Sequence, residues 1–257
     1  MIDTHCHLNI EPLVDRIDEV LESAEHHGVR SMVVIGIDIP TSEKAIELAK
    51  RHPQIRASVG IHPNDCSKAP DNWQNHISDM LQEPEVVAVG ETGLDYYWDD
   101  SPQALQQTFF EAHLDLALAS GKPAVIHNRD ADKDVLRQVL AHKNAHGVFH
   151  CWPAGWDLAE PLLAKGYHIS FTGTVTFKNN QLVQDVARRM PLKRLMLETD
   201  SPFLTPAPHR GKRPNEPKYL PHIAEKIAEL RSMDVDKIVK TTSSNAEAFF
   251  GLHVFKP

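Results

Sequence analysis

The sequence predicts a (β/α)8 TIM-type barrel, an α/β fold in one domain spanning residues 1–257. Short β-rich runs alternate with amphipathic segments eight times along the chain, the pattern of a barrel. No G-x-G-x-x-G turn follows the first run, which weakens the rival doubly wound open sheet. The ends of most runs carry a histidine or a carboxylate, and barrel enzymes build their sites at the C-terminal ends of the strands.

The first run, "MIDTHCH" (1–7), places His5 and His7 on one face, because residues two apart in a strand project together. Asp3 shares that face, while Thr4 and Cys6 turn away. Ile17, Val20, Leu21 and Ala24 then follow helical spacing. Strands are expected at "SMVVIGI" (31–37), "RASVGIH" (56–62) and "EVVAVGE" (85–91). A stripe of Leu105, Phe109, Ala112 and Leu116 predicts a helix before "PAVIH" (123–127). "GVFH" (147–150), "HISFTG" (168–173) and "RLMLET" (194–199) complete the eight. The rhythm breaks at "DSPFLTPAPHRGKRPNEPKYLP" (200–221), which carries six prolines. A loop of that length is functional or disordered more often than incidental. Ile223, Ile227 and Leu230 restore a helical stripe, and 234–250 predicts a closing helix. No linker, low-complexity tract or repeat beyond the βα unit interrupts the chain.

A composition of 41% hydrophobic and 24% charged residues is that of an ordinary soluble globular protein. No apolar stretch approaches the roughly 18 residues of a membrane span. The N-terminus has no basic region followed by an apolar run, so no secretory signal is expected. Three cysteines, Cys6, Cys66 and Cys151, cannot all pair and match no zinc-knuckle spacing, which predicts a reducing, cytoplasmic location. A formal charge of −8 argues against a broad basic footprint on duplex nucleic acid, though not against a local pocket for one phosphate.

The 16 histidines are the unusual feature of the composition. His5 and His7, His62, Glu91, His127, His150 and Asp200 stand at the ends of strands one, three, four, five, six and eight. Taken singly, each has a bland structural role available: a hydrogen-bonded histidine, a helix-cap neighbour, a turn aspartate. Taken together, they form a ligand set too large for one tetrahedral ion, and two divalent ions sharing a carboxylate fit better. Strands one and eight are neighbours in a closed barrel, so His5, His7 and Asp200 complete one site. His127 and His150 complete the other, and Glu91, from the middle of the strand order, is the natural bridge. Imidazoles suit Zn²⁺, Mn²⁺ or Fe²⁺, whereas Mg²⁺ prefers oxygen. Cys6 and Cys151 each adjoin a ligand on a strand and face the barrel wall. Water activated at such a centre is a strong nucleophile, and Asp200 beside it is the candidate proton acceptor.

"DTHCHL" (3–8), "GIHP" (60–63), "VGETGLDYY" (89–97), "VIHNR" (125–129), "VFHC" (148–151), "ISFTGTVTFK" (169–178), "LETDSPFL" (197–204) and "RGKRPNEP" (210–217) together resemble the TatD family of metal-dependent deoxyribonucleases, among the amidohydrolase-like barrels. The resemblance implies a dinuclear centre with His5, His7, Glu91 and Asp200 on one metal and Glu91, His127 and His150 on the other. It also implies hydrolysis of phosphodiester bonds in DNA, exonucleolytically from a 3′ end. Such nucleases are often described with Mg²⁺, so the expected cofactor is two divalent ions of Zn, Mn or Mg. Two departures bear on substrate preference. "HCWPAGW" (150–156) replaces the usual His-Cys-Phe-Ser-Gly, and Asn128 stands where a serine or threonine is usual.

Between Thr205 and Pro221, Arg210, Lys212, Arg213 and Lys218 face one acid, Glu216, a local balance of +3. Arginine suits phosphate through its planar fork, so Arg210 and Arg213 are expected substrate contacts, with His62 donating to the same phosphate. Asp95 is a candidate to orient a ligand, and Asn215 and Glu216 to hold the loop. Tyr96, Tyr97 and Trp98 have two open roles, stacking on bases of a single strand or packing beneath a loop. The expected partner is nucleic acid, single-stranded DNA first, with no membrane and no obligate protein partner. Two rivals stay open. One is a small-molecule amidohydrolase or esterase using the same centre. The other is a metal-binding barrel without turnover.

Overall fold

All eight β-rich runs are strands in the computed structural model, which describes residues 1–252. They are β1 (Ile2–Cys6), β2 (Ser31–Ile35), β3 (Ile55–Val59), β4 (Val86–Asp95), β5 (Ala124–Arg129), β6 (Gly147–Phe149), β7 (His168–Phe171) and β8 (Leu195–Leu197). The helices between them are α1 (Ile17–His26), α2 (Ile39–Arg51), α3 (Trp73–Met80), α4 (Gln103–Ser120), α5 (Asp132–Ala141), α6 (Trp156–Lys165) and α7 (Gln181–Arg189). After β8 come α8 (Leu220–Arg231) and α9 (Val235–Phe250). The sheet is parallel and ordered β1 to β8 without a crossover, the (β/α)8 arrangement expected. The strands are buried along nearly their whole length, both faces being covered, although β1 carries Asp3, Thr4 and His5 among its apolar residues. Among the described residues, no helix is long and apolar enough to cross a membrane.

The chain forms two compact units. The first combines residues 1–33 with the chain from Cys151 onward. Here β8 lies beside β1. The Asp200 amide donates to the His5 carbonyl at 2.9 Å, and the His7 amide to the Ser201 carbonyl at 2.7 Å. The Thr4 hydroxyl reaches the Leu197 carbonyl at 3.1 Å. Asp3 locks the junction. Its carboxylate accepts from the Thr199 amide at 2.9 Å and the Thr199 hydroxyl at 2.5 Å. Complete burial pushes its pKa up to about 7, against those hydrogen bonds. The α1 stripe is buried as expected, at Ile17, Val20, Leu21 and Ala24. The proline-rich stretch is tethered by fully buried Asn215, whose side-chain amide donates to the carbonyls of Thr199 at 2.9 Å and Phe203 at 2.5 Å. Glu216 holds Arg16 and Lys218, so both residues hold the loop as expected.

The second unit runs from Val34 to His150. Two expectations need correction here. The apolar pattern ends its strand at Glu91, yet β4 continues four residues further, to Asp95. The continuation is made possible by glycine. Gly93 has φ +133°, and a Cβ there would sit 2.0 Å from the His127 carbonyl oxygen, so only glycine lets β4 and β5 approach this closely. The register also shifts between Val89 and Thr92, which re-aims Glu91 from within the strand. The second correction concerns α4. Its buried face centres on Gln106, Phe109, Phe110, His113 and Ala117 rather than on the stripe through Leu105, Ala112 and Leu116. Apolar periodicity misses it because two of its buried members are polar and bonded to backbone. Gln106 accepts from the Asp95 amide and donates to the Asp95 carbonyl, both at 2.9 Å. His113 accepts from the Ile61 amide at 3.0 Å, so its Nδ1–H donates to the Phe109 carbonyl at 2.7 Å.

Burial lowers the pKa of His113 from 6.5 to about 4, and the neutral ring carries both hydrogen bonds. Between those values the unfolded chain binds a proton that the folded chain refuses. Stability is therefore complete above pH 6.5 and falls as pH drops toward 4, by roughly 3 kcal/mol for this group. Urea unfolding at pH 7 and pH 5 checks this: the loss on acidification should be larger in the wild-type protein than in His113→Gln.

Candidate metal centre

A cluster of nitrogen and oxygen donors stands at the C-terminal ends of the strands in each unit, and in the second unit His62, Asp95 and His127 form a further group that shares His127. In the first, His5 on β1, His7 just beyond it and Asp200 just beyond β8 converge. The two Nε2 atoms are 3.2 Å apart, and Asp200 Oδ1 lies 3.6 Å from His5 Nε2 and 3.3 Å from His7 Nε2. The backbone bonds between β1 and β8 set this height. Asp200 has φ +54°, a left-handed conformation uncommon outside glycine. The Phe203 ring meets the His7 ring edge-on at 6.0 Å.

In the second cluster, Glu91 Oε1 lies 3.0 Å from His127 Nδ1 and 2.8 Å from His150 Nε2, and the two nitrogens are 3.1 Å apart. Asp95 takes the other side of His127, its Oδ2 3.0 Å from Nε2. That contact fixes the proton on Nε2 and leaves Nδ1 to the cluster, the usual device for orienting a metal-binding histidine. Asp95 Oδ1 in turn accepts from the amides of Tyr97 and Trp98 at 3.0 and 3.3 Å. Burial opposes a charged Glu91, but His150, His62 and His127 outweigh it and hold its carboxyl well below the usual range.

Both clusters fit a divalent ion. Four-coordinate Zn²⁺ with bonds near 2.05 Å separates its ligands by roughly 3.3 Å. The donor separations here, 2.8 to 3.6 Å, bracket that spacing. Each cluster supplies three donors, the number that leaves a catalytic ion one open position. The six positions named from the sequence lie in these two groups of three, with Glu91 in the second.

His62 lies beside the second cluster, its Nε2 3.5 Å from Glu91 Oε1 and its ring 4.6 Å from that of His127. Its Nδ1 accepts from the Asn64 amide at 3.2 Å, so the ring proton sits on Nε2. Burial pushes its pKa down to about 3, and the ring is a neutral donor. Arg210 and Arg213 are exposed on the loop after β8, and Arg210 stacks over Phe177 with its guanidinium carbon 4.1 Å from the ring centroid. Sequence reasoning passed over Glu198. It is buried, and its carboxylate accepts from the Cys151 amide and the Ser170 hydroxyl, each at 2.5 Å. It thereby pins a turn in which Cys151 has φ +44°. Its only sequence signal is a carboxylate placed directly after an apolar strand.

The role of Asp95 is measurable. Asp95→Ala should weaken divalent-ion binding at one of two sites about 10- to 100-fold and leave the other unchanged. Competition against a chromophoric chelator reads both affinities.

The family described as TatD related DNase matches residues 2–251 of the chain. The metal-dependent hydrolase YabD of Bacillus subtilis is 39% identical over 256 residues, covering 98% of this chain and 100% of YabD. YcfH of Escherichia coli K12, also described as a metal-dependent hydrolase, is 35% identical and covers 97% of this chain and 95% of its own. Neither description states a substrate. Among solved structures, the TatD homologue YjjV of Escherichia coli superposes with a TM-score of 0.94 at 28% identity, covering 98% of both chains. A phosphotriesterase homology protein of Escherichia coli, complexed with phosphate in its active site, shares the fold at a TM-score of 0.67 and 16% identity, covering 97% of this chain and 98% of its own.

Proposed function

The chain belongs to the family of TatD related DNases and is a metal-dependent hydrolase; from that premise we propose that it is a nuclease cleaving phosphodiester bonds in DNA, from the 3′ end of a single strand. The pair of three-donor clusters, each spaced for one divalent ion of Zn, Mn or Mg, supports the hydrolytic chemistry, and the observation that carries the choice of a phosphodiester is the basic, exposed loop after β8. When bound, such ions lower the pKa of water and draw charge from a phosphoryl oxygen.

The chain's own residues do the rest. His5, His7 and Asp200 would hold one ion, and Glu91, His127 and His150 the other. The Asp200 carboxylate accepts the proton of the attacking water. His62 offers its Nε2–H to a non-bridging phosphate oxygen, and as a neutral ring it keeps that donor across the physiological range. Arg210 and Arg213 bind neighbouring phosphates from the exposed loop. The basic balance of that loop favours a phosphodiester over the neutral ester or amide of the rival reading, and two complete triads speak against a barrel without turnover. Three cysteines, an odd number that cannot all pair, support action in the reducing cytoplasm.

The test is digestion of a 5′-labelled single-stranded DNA by chelator-stripped protein reloaded separately with Mg²⁺, Mn²⁺ and Zn²⁺. Stepwise shortening is expected with at least one ion and none in the His5→Ala/His7→Ala double variant. Asp200→Asn should lower kcat by about 100-fold or more, with KM within threefold. Two bound equivalents of metal without cleavage under any ion would instead direct attention to small esters and amides.

A further inference from the structure

We infer that Tyr97, Trp98 and Arg129 form a stacking subsite for an unpaired nucleobase of the substrate strand, a conclusion that rests on the nuclease reading. Of the two roles open for the aromatic run, packing beneath a loop belongs to Tyr96 alone. Its hydroxyl donates to Asp134 at 2.9 Å and accepts from Gln107 at 2.7 Å. Tyr97 and Trp98 are 53% and 50% exposed. Two adjoining aromatic rings left half in water are uncommon unless they serve recognition.

The trio is built, not loose. The two rings meet edge to face, with centroids 4.8 Å apart and planes at 87°, so they form the two walls of a notch. The Arg129 guanidinium lies 3.8 Å from the Tyr97 centroid and 5.7 Å from that of Trp98. The amides of both aromatic residues donate to Asp95, whose other oxygen meets His127. Arg129 stands two residues beyond His127 on β5, opposite Asp95 in the register, and its carbonyl accepts from the Tyr96 amide at 2.9 Å. The notch and the second cluster thus share two strands and one carboxylate. Side chains already fixed in place need little ordering when a ligand arrives.

The surrounding charge selects the ligand. Asp99 and Asp100 follow Trp98, and Asp130 and Asp132 follow Arg129. These four acids against Arg129 and Lys133 disfavour a phosphate backbone, whereas the π-face of a base carries no charge to repel. A base within a duplex has no free face to offer, so the notch accepts single strands and frayed ends.

The experiment walks one abasic residue along a short single-stranded oligonucleotide from its 3′ end, measuring affinity by fluorescence anisotropy and KM and kcat by digestion. In the wild-type protein, base removal at one position should weaken affinity and raise KM about tenfold. In Tyr97→Ala/Trp98→Ala, KM for the intact strand should rise about tenfold and the abasic penalty should fall below twofold. Tyr97→Phe/Trp98→Phe should restore the penalty, since a stacking face survives. A double alanine variant that keeps the positional penalty while losing kcat on every substrate would overturn the subsite, as would a wild-type protein indifferent to base removal everywhere. Base-dependent binding without cleavage would sink the nuclease reading and leave the subsite standing.

Discussion

Two imidazole nitrogens held 3.2 Å apart beside a carboxylate oxygen cannot all present lone pairs to one another without a positive charge among them. Such crowding of nitrogen and oxygen atoms is imposed twice. At His5, His7 and Asp200 it is set by two strands bonded side by side. At Glu91, His127 and His150 it is set by three. Left in water, these side chains would separate and solvate. Here each is mostly buried, so the fold must supply the force that keeps them together.

That force is visible in the local concessions around each cluster. Asp200 adopts a left-handed conformation, held between the His5 carbonyl that its amide reaches and the Phe203 amide that its carbonyl accepts at 2.8 Å. Asp3 is sunk out of water to bind both polar groups of Thr199, one residue before that position. Gly93 gives up its side chain so that the backbone bearing His127 can pass. Glu198 spends a buried carboxylate on one amide and one hydroxyl. Each device sits within two residues of a cluster side chain or against its backbone. Stability yields to placement where the chemistry is done.

Those concessions separate what was legible in the sequence from what was not. The eight strands were legible because a strand covered on both faces is a run of apolar and β-branched residues, whatever its partners. The two clusters were legible because histidines and carboxylates at the ends of such runs have few other reasons to recur in step. The buried face of α4 was not, since Gln106 and His113 lie on it as polar residues satisfied by distant backbone. Glu91 was read at a strand end because apolar periodicity stops there, although the ladder continues through Thr92 and Gly93. Glu198 was invisible for a similar reason: its partners lie 47 and 28 residues away in the chain, and no local pattern marks such a bond.

A metal-activated water is indifferent to what it attacks; an ester, an amide and a phosphodiester differ mainly in the groups that hold them still. Substrate choice must therefore be written in the loops beyond the strand ends, and two of these loops carry opposite chemistry. The loop after β8 is basic and exposed, anchored by one buried asparagine, and suits a polyanion. The segment after β4 is acidic and aromatic, with its backbone tied to a carboxylate that also orients His127. A small neutral substrate would use neither. The basic loop suits the charged backbone of a polymer and the aromatic segment suits flat, uncharged bases, while in the altered turn at 152–156 Trp152 is buried and donates to the Ala154 carbonyl at 2.6 Å.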